Sequence, residues 1–193
     1  MSSPAATSPR RNLAGRPADT VAALVDAAVG EVAETGYDGL TVRNVARRAG
    51  VSPATAYTYF ASKEHLLTEV FWRRLSSLEE PSFAKRSSIA DRVEETVRGL
   101  AMLVADEPEL AAGVTTAMLA HDHDVKLLRD QIGNAFAARL AHAIGPDADP
   151  ALLRAVVTTF VGALLTAGMG NATYAELPKL MAETTALMTR RAR

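Results

Sequence analysis

Apolar positions recur along this chain at helical spacing almost from end to end, and no stretch alternates with the period of two that marks a strand. The first clear stripe is Val21, Leu24, Val25, Ala28, Val29 and Val32, which predicts a helix from about 17 to 35 closed by Gly36. Tyr37-Asp38-Gly39 then reads as a turn. Val42, Val45, Ala46 and Ala49 set one face of a short helix, with Thr41 as its cap and Gly50 as a left-handed stop. Ser52 caps another short helix, and Pro53 takes its first position, where a missing N–H costs nothing. A fourth helix starts at Ser62-Lys63-Glu64, with an inner face of Leu67, Val70, Phe71, Arg74, Leu75 and Leu78, and ends before Pro81.

Beyond the Ser-rich and basic loop from Pro81 to Ser88, the chain is rich in Ala, Leu and Val. Helices are expected at about 88–105, 108–120, 122–144, 149–170 and 175–191. The breaks are Asp106-Glu107-Pro108, His121-Asp122, Gly145-Pro146-Asp147 and Gly170-Asn171. The predicted fold class is all-α. An N-terminal three-helix DNA-binding module of the helix-turn-helix kind occupies residues 16–61. Residues 62–193 are expected to form a second helical domain, in which 62–80 is the connecting helix. Residues 1–15, rich in Ser, Pro, Ala and Thr, are expected to be a disordered basic arm.

Charge sharpens this picture more than composition does. The 193 residues carry a net charge of −1, so the protein is no general polyanion coat. Its cations are nevertheless local. Arg10, Arg11 and Arg16 lie in an acid-free N-terminus, and Arg43, Arg47, Arg48 and Lys63 lie in the acid-free stretch from Leu40 to Lys63. Cations gathered in one short module suit focused binding to a nucleic acid, against the plainer reading of a solvated basic face. Cysteine is absent, which excludes disulfides, thiolate chemistry and Cys-based zinc sites. The N-terminal stretch MSSPAATSPRRN lacks an apolar run and does not read as a signal peptide, so the protein is expected in the cytoplasm. The uncharged run between Arg154 and Glu176 approaches a membrane span in length. Its Thr158, Thr159, Thr166, Asn171 and Thr173, with no aromatic belt, argue against one.

The stretch Gly36-Tyr37-Asp38-Gly39-Leu40-Thr41-Val42-Arg43-Asn44-Val45-Ala46, followed by Ala49-Gly50-Val51-Ser52, resembles the TetR family of transcriptional regulators. The likeness continues through Thr55, Tyr57, Tyr59-Phe60, Ser62-Lys63-Glu64 and Leu66-Leu67, and covers about residues 17–70. It implies a homodimer that binds a near-palindromic double-stranded operator and represses transcription until a small-molecule inducer releases it. It further implies that residues 62–193 are the helical ligand-binding and dimerisation domain; no cofactor, no metal and no enzymatic activity are expected. Physics supports the dimer separately. A recognition helix of about eight residues is about 12 Å long and reaches only a few base pairs. Two copies about 34 Å apart read successive major-groove faces and multiply the discrimination.

Carried over residue by residue, Thr41 and Arg43 open the first helix of the motif and face the DNA backbone, with Arg43 close to a base. Ser52, Pro53, Ala54 and Thr55 form the turn that enters the groove. Tyr57, Thr58 and Tyr59 are expected on phosphates or bases, with core packing the alternative for Tyr59, and Lys63 on a phosphate. No Arg, Asn or Gln lies between Val51 and Ala61, so bidentate base reading from this helix is excluded. Thymine methyls, Arg43 and DNA shape must then carry the readout.

The helix at 149–170 is apolar on more than one face, so one intramolecular core cannot cover it. Leu153, Val157, Val161 and Leu164, with Leu180 and Leu187 of the last helix, are the expected dimer interface, an intersubunit four-helix bundle, with deep burial within one subunit the alternative. Met102, Met118, His121, Phe136, Phe160 and Met169 are candidate lining for an apolar effector cavity, with ordinary core packing the alternative. The run His121-Asp122-His123-Asp124 reads better as a helix cap than as a metal site. A small helical enzyme or ligand carrier is the rival function. Against it stand the missing Cys, the missing Gly-rich phosphate loop and the missing Glu-x-x-His pair.

Overall fold

The computed structural model describes residues 16–190, and Arg16 by its backbone alone. The expected basic arm, with Arg10 and Arg11, lies outside the described residues. Within them the chain is helical throughout: α1 (Arg16–Gly39), α2 (Val42–Arg48), α3 (Pro53–Tyr59), α4 (Lys63–Ser77), α5 (Ile89–Ala101), α6 (Pro108–Met118), α7 (His123–Ile144), α8 (Pro150–Gly168) and α9 (Leu177–Arg190), with a 3-10 turn at Tyr174–Glu176. The all-α class stands, and no strand occurs among the described residues.

Local signals set most boundaries. Thr41 accepts a hydrogen bond from the Asn44 N–H at 3.1 Å, and Ser52 accepts one from Thr55 at 3.1 Å. Gly50 takes φ 69° between α2 and α3, a conformation that a Cβ would strain. Gly36 differs from expectation. It does break the helix, at φ 66° and ψ 179°, but helix resumes through Tyr37 and Asp38 instead of a bare turn. Tyr37 is held there by its hydroxyl, which donates to Glu64 at 2.6 Å, and by its carbonyl, which accepts from Lys63 Nζ at 2.8 Å.

Three helices end on arginines that belong to other elements. Arg129 donates to the carbonyls of Met118 and Ala120 just past α6, at 2.6 and 3.2 Å. Arg139 spans the carbonyls of Leu75, Leu78 and Glu79 at the end of α4. Arg92 does the same for Ala143 and Ile144 of α7. Each guanidinium satisfies carbonyls that have no intrahelical partner and sits at the negative end of a helix dipole. This is why α4 stops at Ser77 and not at 80.

Packing divides the chain into two units that do not follow chain order. Among the described residues, one holds 16–74 together with Glu107–Gln131, and the other holds Leu75–Asp106 and 132–190. In the first, α6 packs on α1, and Gly113 of α6 makes the approach possible. A Cβ there would stand 3.2 Å from Leu67 and 3.5 Å from Val32. Val21, Leu24, Ala28, Val32, Leu40, Val45, Ala46, Phe60, Leu66 and Leu67 are fully buried. The α6–α7 junction is capped by Asp122, which accepts from the N–H groups of Asp124 and Val125 and from the Ser62 hydroxyl. In the second unit α5 packs on α9. Val156, Phe160, Ala163 and Ala167 form the buried stripe of α8, and Phe160 meets Phe136 edge-on with ring centroids 5.2 Å apart.

Candidate nucleic-acid interface

The surface of α2 and α3 is built by two caps and one anchor. Ser52 and Thr55 share a hydroxyl–hydroxyl bond of 2.8 Å in addition to the cap, which fixes the first turn of α3. Ala56 is the one buried residue of α3, and Phe60, fully buried, closes it. Everything else on α3 is outward or half outward: Pro53, Ala54, Tyr57 and Thr58 are exposed, and Thr55 and Tyr59 are half-buried. The Thr58 hydroxyl donates back to the Ala54 carbonyl at 3.0 Å. Tyr57 presents its ring to water, 47% exposed, while Tyr59 is partly packed, midway between the two readings open to it.

The four cations of the motif are not equivalent. Arg43 and Arg47 are exposed and make no ion pair among the described residues. Four positions apart on α2, they share one face. Arg48 instead turns to α1, where it pairs with Glu34 and reaches Glu31 at 3.5 Å. Its hydrogen bond and charge hold the Glu34 carboxyl below the usual carboxylate range. Lys63 is half-buried, donates to the Tyr37 carbonyl and stands 4.0 Å over the Tyr37 ring. Burial, then the hydrogen bond to the Glu64 carboxylate, push the Tyr37 phenol above its ordinary range. Lys63 is thus already engaged, with two of its three N–H groups left for another acceptor. Sequence reasoning counted Arg47 among the local cations but gave it no place on the DNA; its i, i+4 relation to Arg43 is the signal that points to it.

The other candidate residues fall in separate places. Of the expected dimer residues, Val161, Leu180 and Leu187 are exposed, whereas Leu153, Val157 and Leu164 are half-buried. Leu165 and Met169 of α8 are exposed too, at 36% and 69%. Met169 therefore belongs to this outward apolar face in the single chain. Of the remaining pocket candidates, Phe136 and Phe160 lie together in the core of the second unit, and Met102 is 55% exposed. Met118 and His121 belong to the first unit, His121 exposed and Met118 half-buried. No cluster of three or more metal-ligating side chains occurs among the described residues. Helix α8 is long and apolar enough to cross a membrane by length and composition alone.

Residues 24–70, which run from α1 through the helix-turn-helix into α4, match the family model described as bacterial regulatory proteins, tetR family. An uncharacterised HTH-type transcriptional regulator of Mycobacterium tuberculosis is 43% identical over 159 residues, which cover 80% of this chain and 73% of that protein. The fold is similar to that of a TetR transcriptional regulator from Rhodococcus sp. RHA1, with a TM-score of 0.73 at 20% identity over 90% of this chain and 97% of that one. It is also similar to FadR from Bacillus subtilis in complex with stearoyl-CoA, with a TM-score of 0.60 at 20% identity over 85% and 96% of the two chains. The fold and the relatives are those of DNA-binding regulators and not of enzymes. An acid-free helix-turn-helix with an exposed recognition helix, the family match across it and the relative of similar length agree: the chain belongs to the TetR family of bacterial transcriptional regulators.

Proposed function

We propose that the protein is a dimeric repressor that reads a near-palindromic operator and is released from it by a small apolar effector. The observation that carries the reading is the exposed, acid-free surface of α2 and α3. There Arg43, Arg47 and Tyr57 face outward beside the capped turn Ser52–Thr55. Thr41, Arg43, Tyr57, Thr58, Tyr59 and Lys63 hold phosphates, and Pro53, Ala54 and Thr55 approach the base edges. With no Arg, Asn or Gln on α3, specificity comes from thymine methyls, DNA shape and Arg43. On this reading residues 16–61 bind DNA in the cytoplasm and 62–193 bind effector and partner.

The second copy covers the apolar residues that α8 and α9 leave in water, Val161, Leu165, Leu180 and Leu187. Effector binding acts against DNA binding only through its preference for the conformation with the wrong half-site spacing. To move a population from 99:1 to 1:99 takes about 5.5 kcal/mol of such preference. Helix α4 passes from the first packing unit to the second at Arg74–Leu75, which makes it the element for an effector to move. The apolar character of the effector rests on the Phe136–Phe160 pair and is in keeping with the stearoyl-CoA bound by FadR.

The test is fluorescence anisotropy with DNA from upstream of the protein's own gene against random duplex at moderate salt. The expected result is preference for the upstream DNA, with affinity that falls steeply as salt rises. Equal binding to both sinks the repressor reading.

A further inference from the structure

Three arginines stand within six positions on α2, and charge alone would send all of them to DNA. The geometry separates one. The Arg48 guanidinium lies across α1 where that helix has no side chain: a Cβ at Gly30 would stand 2.8 Å from its Nε and 2.9 Å from its Nη2. On either side of this bare strip are Glu34, which takes one Nη, and Glu31, which faces the other at 3.5 Å. Glu31 is only 6% exposed, so its carboxylate has little water to replace a lost cation. Gly30, Glu31 and Glu34 thus form a slot that fits one planar guanidinium, at a helix-interior position where glycine otherwise weakens the helix.

We propose that Arg48 is a positioning residue for DNA reading and not a DNA contact: seated in the Gly30–Glu31–Glu34 slot, it locks the C-terminal end of α2 to α1 and so fixes the angle at which α3 is presented. Helix α2 packs on both α1 and α3, so a loose end of α2 is a loose recognition helix. A reader without bidentate base contacts discriminates by fit to DNA shape, which depends on that angle. Arg43 and Arg47, on the other face, remain for phosphate.

The inference rests on the DNA-binding reading above, and the experiment separates the two. Full-length wild type, Arg48→Ala, Gly30→Ala and Arg47→Ala are titrated with upstream DNA and with random duplex over a range of salt, beside a thermal melt. Arg48→Ala is expected to keep the wild-type salt slope and to lose about fivefold in the upstream-to-random ratio. Gly30→Ala changes no charge but crowds the Arg48 guanidinium, which must shift, and is expected to lose a similar ratio; its gain in helix propensity offsets part of the cost at Glu31, so its melting temperature falls less than that of Arg48→Ala. Arg47→Ala is expected to keep the ratio and to reduce the log–log salt slope by about 0.9 for each phosphate it no longer neutralises. A slope reduction in Arg48→Ala equal to that in Arg47→Ala overturns the proposal, as does an unchanged ratio in both Arg48→Ala and Gly30→Ala. A wild type with no preference shows a ratio of one before any substitution and overturns both readings.

Discussion

Helix α3 buries Ala56 alone and turns Pro53, Ala54, Tyr57 and Thr58 outward, whereas α8 buries Val156, Phe160, Ala163 and Ala167 and turns Val161 and Leu165 outward. The exposed atoms of α3 are hydroxyls, a phenol ring and small side chains that water solvates well, beside the two outward guanidiniums on α2. Val161 and Leu165 of α8, with Leu180 and Leu187 on α9, instead expose branched hydrocarbon that water solvates poorly. A partner rich in phosphate suits the first face, and a partner that removes hydrocarbon from water suits the second. The two faces also differ in what holds them. The pose of α3 depends on caps, on Phe60 and on the Arg48 slot; α8 is held by a continuous buried stripe.

The largest expected effect tests that dependence. Phe60→Ala removes a fully buried ring at the end of α3 and should cost about 3–5 kcal/mol, read as a lower denaturation midpoint. An effect below about 1 kcal/mol would mean that α3 is held by something else. Next comes the apolar face. Leu165→Glu with Leu187→Glu places charge on both helices and is expected to convert the dimer to monomer in sedimentation velocity. Operator affinity should then fall roughly a hundredfold, because one half-site reader remains. If the double variant stays dimeric, the partner sits elsewhere.

Smaller effects sharpen the α3 side. Arg43→Ala is expected to weaken operator binding about tenfold, with Tyr57→Ala similar or less, while the melting temperature holds because both side chains are exposed. Ser52→Ala removes a cap and should cost about 1 kcal/mol of stability, with its share of affinity. The smallest concerns pH. Burial opposes the ionisation of Asp122, but hydrogen bonds from Asp124, Val125 and Ser62, with His65 nearby, hold its carboxyl below the ordinary range. A depressed carboxylate adds stability above its unfolded pKa and loses it as pH falls through the folded one. Asp122→Asn should therefore be destabilising near neutrality and show a flatter loss of stability in acid, measured by denaturant titration from pH 7 to pH 3.

Local chemistry made much of this visible in the sequence. The pairs Thr41–Asn44 and Ser52–Thr55, the glycine at 50 and the proline at 53 declare the two short helices α2 and α3, since each cap is satisfied by its own neighbours. The apolar excess of the 149–170 helix likewise showed that some of it would stay uncovered in a single chain. What was hidden depends on residues far apart in sequence. The acids that occupy Arg48 lie 14 and 17 positions before it, and the carboxylate on the Tyr37 hydroxyl lies 27 positions after. Similarly, α4 ends where Arg139 meets its carbonyls, some 60 residues on, which no window around Ser77 reveals. Pocket lining was the least legible because Met and Phe read alike in a core and in a cavity.

The central claim is that two copies, joined through the apolar face, present two α3 surfaces to one piece of DNA. Hydroxyl-radical footprinting of the upstream DNA tests it most directly. Two protected patches are expected on one face of the duplex, centred about one helical turn, or about 34 Å, apart, with both lost in the Leu165→Glu, Leu187→Glu protein. A single patch, or paired patches that survive that double substitution, would contradict it.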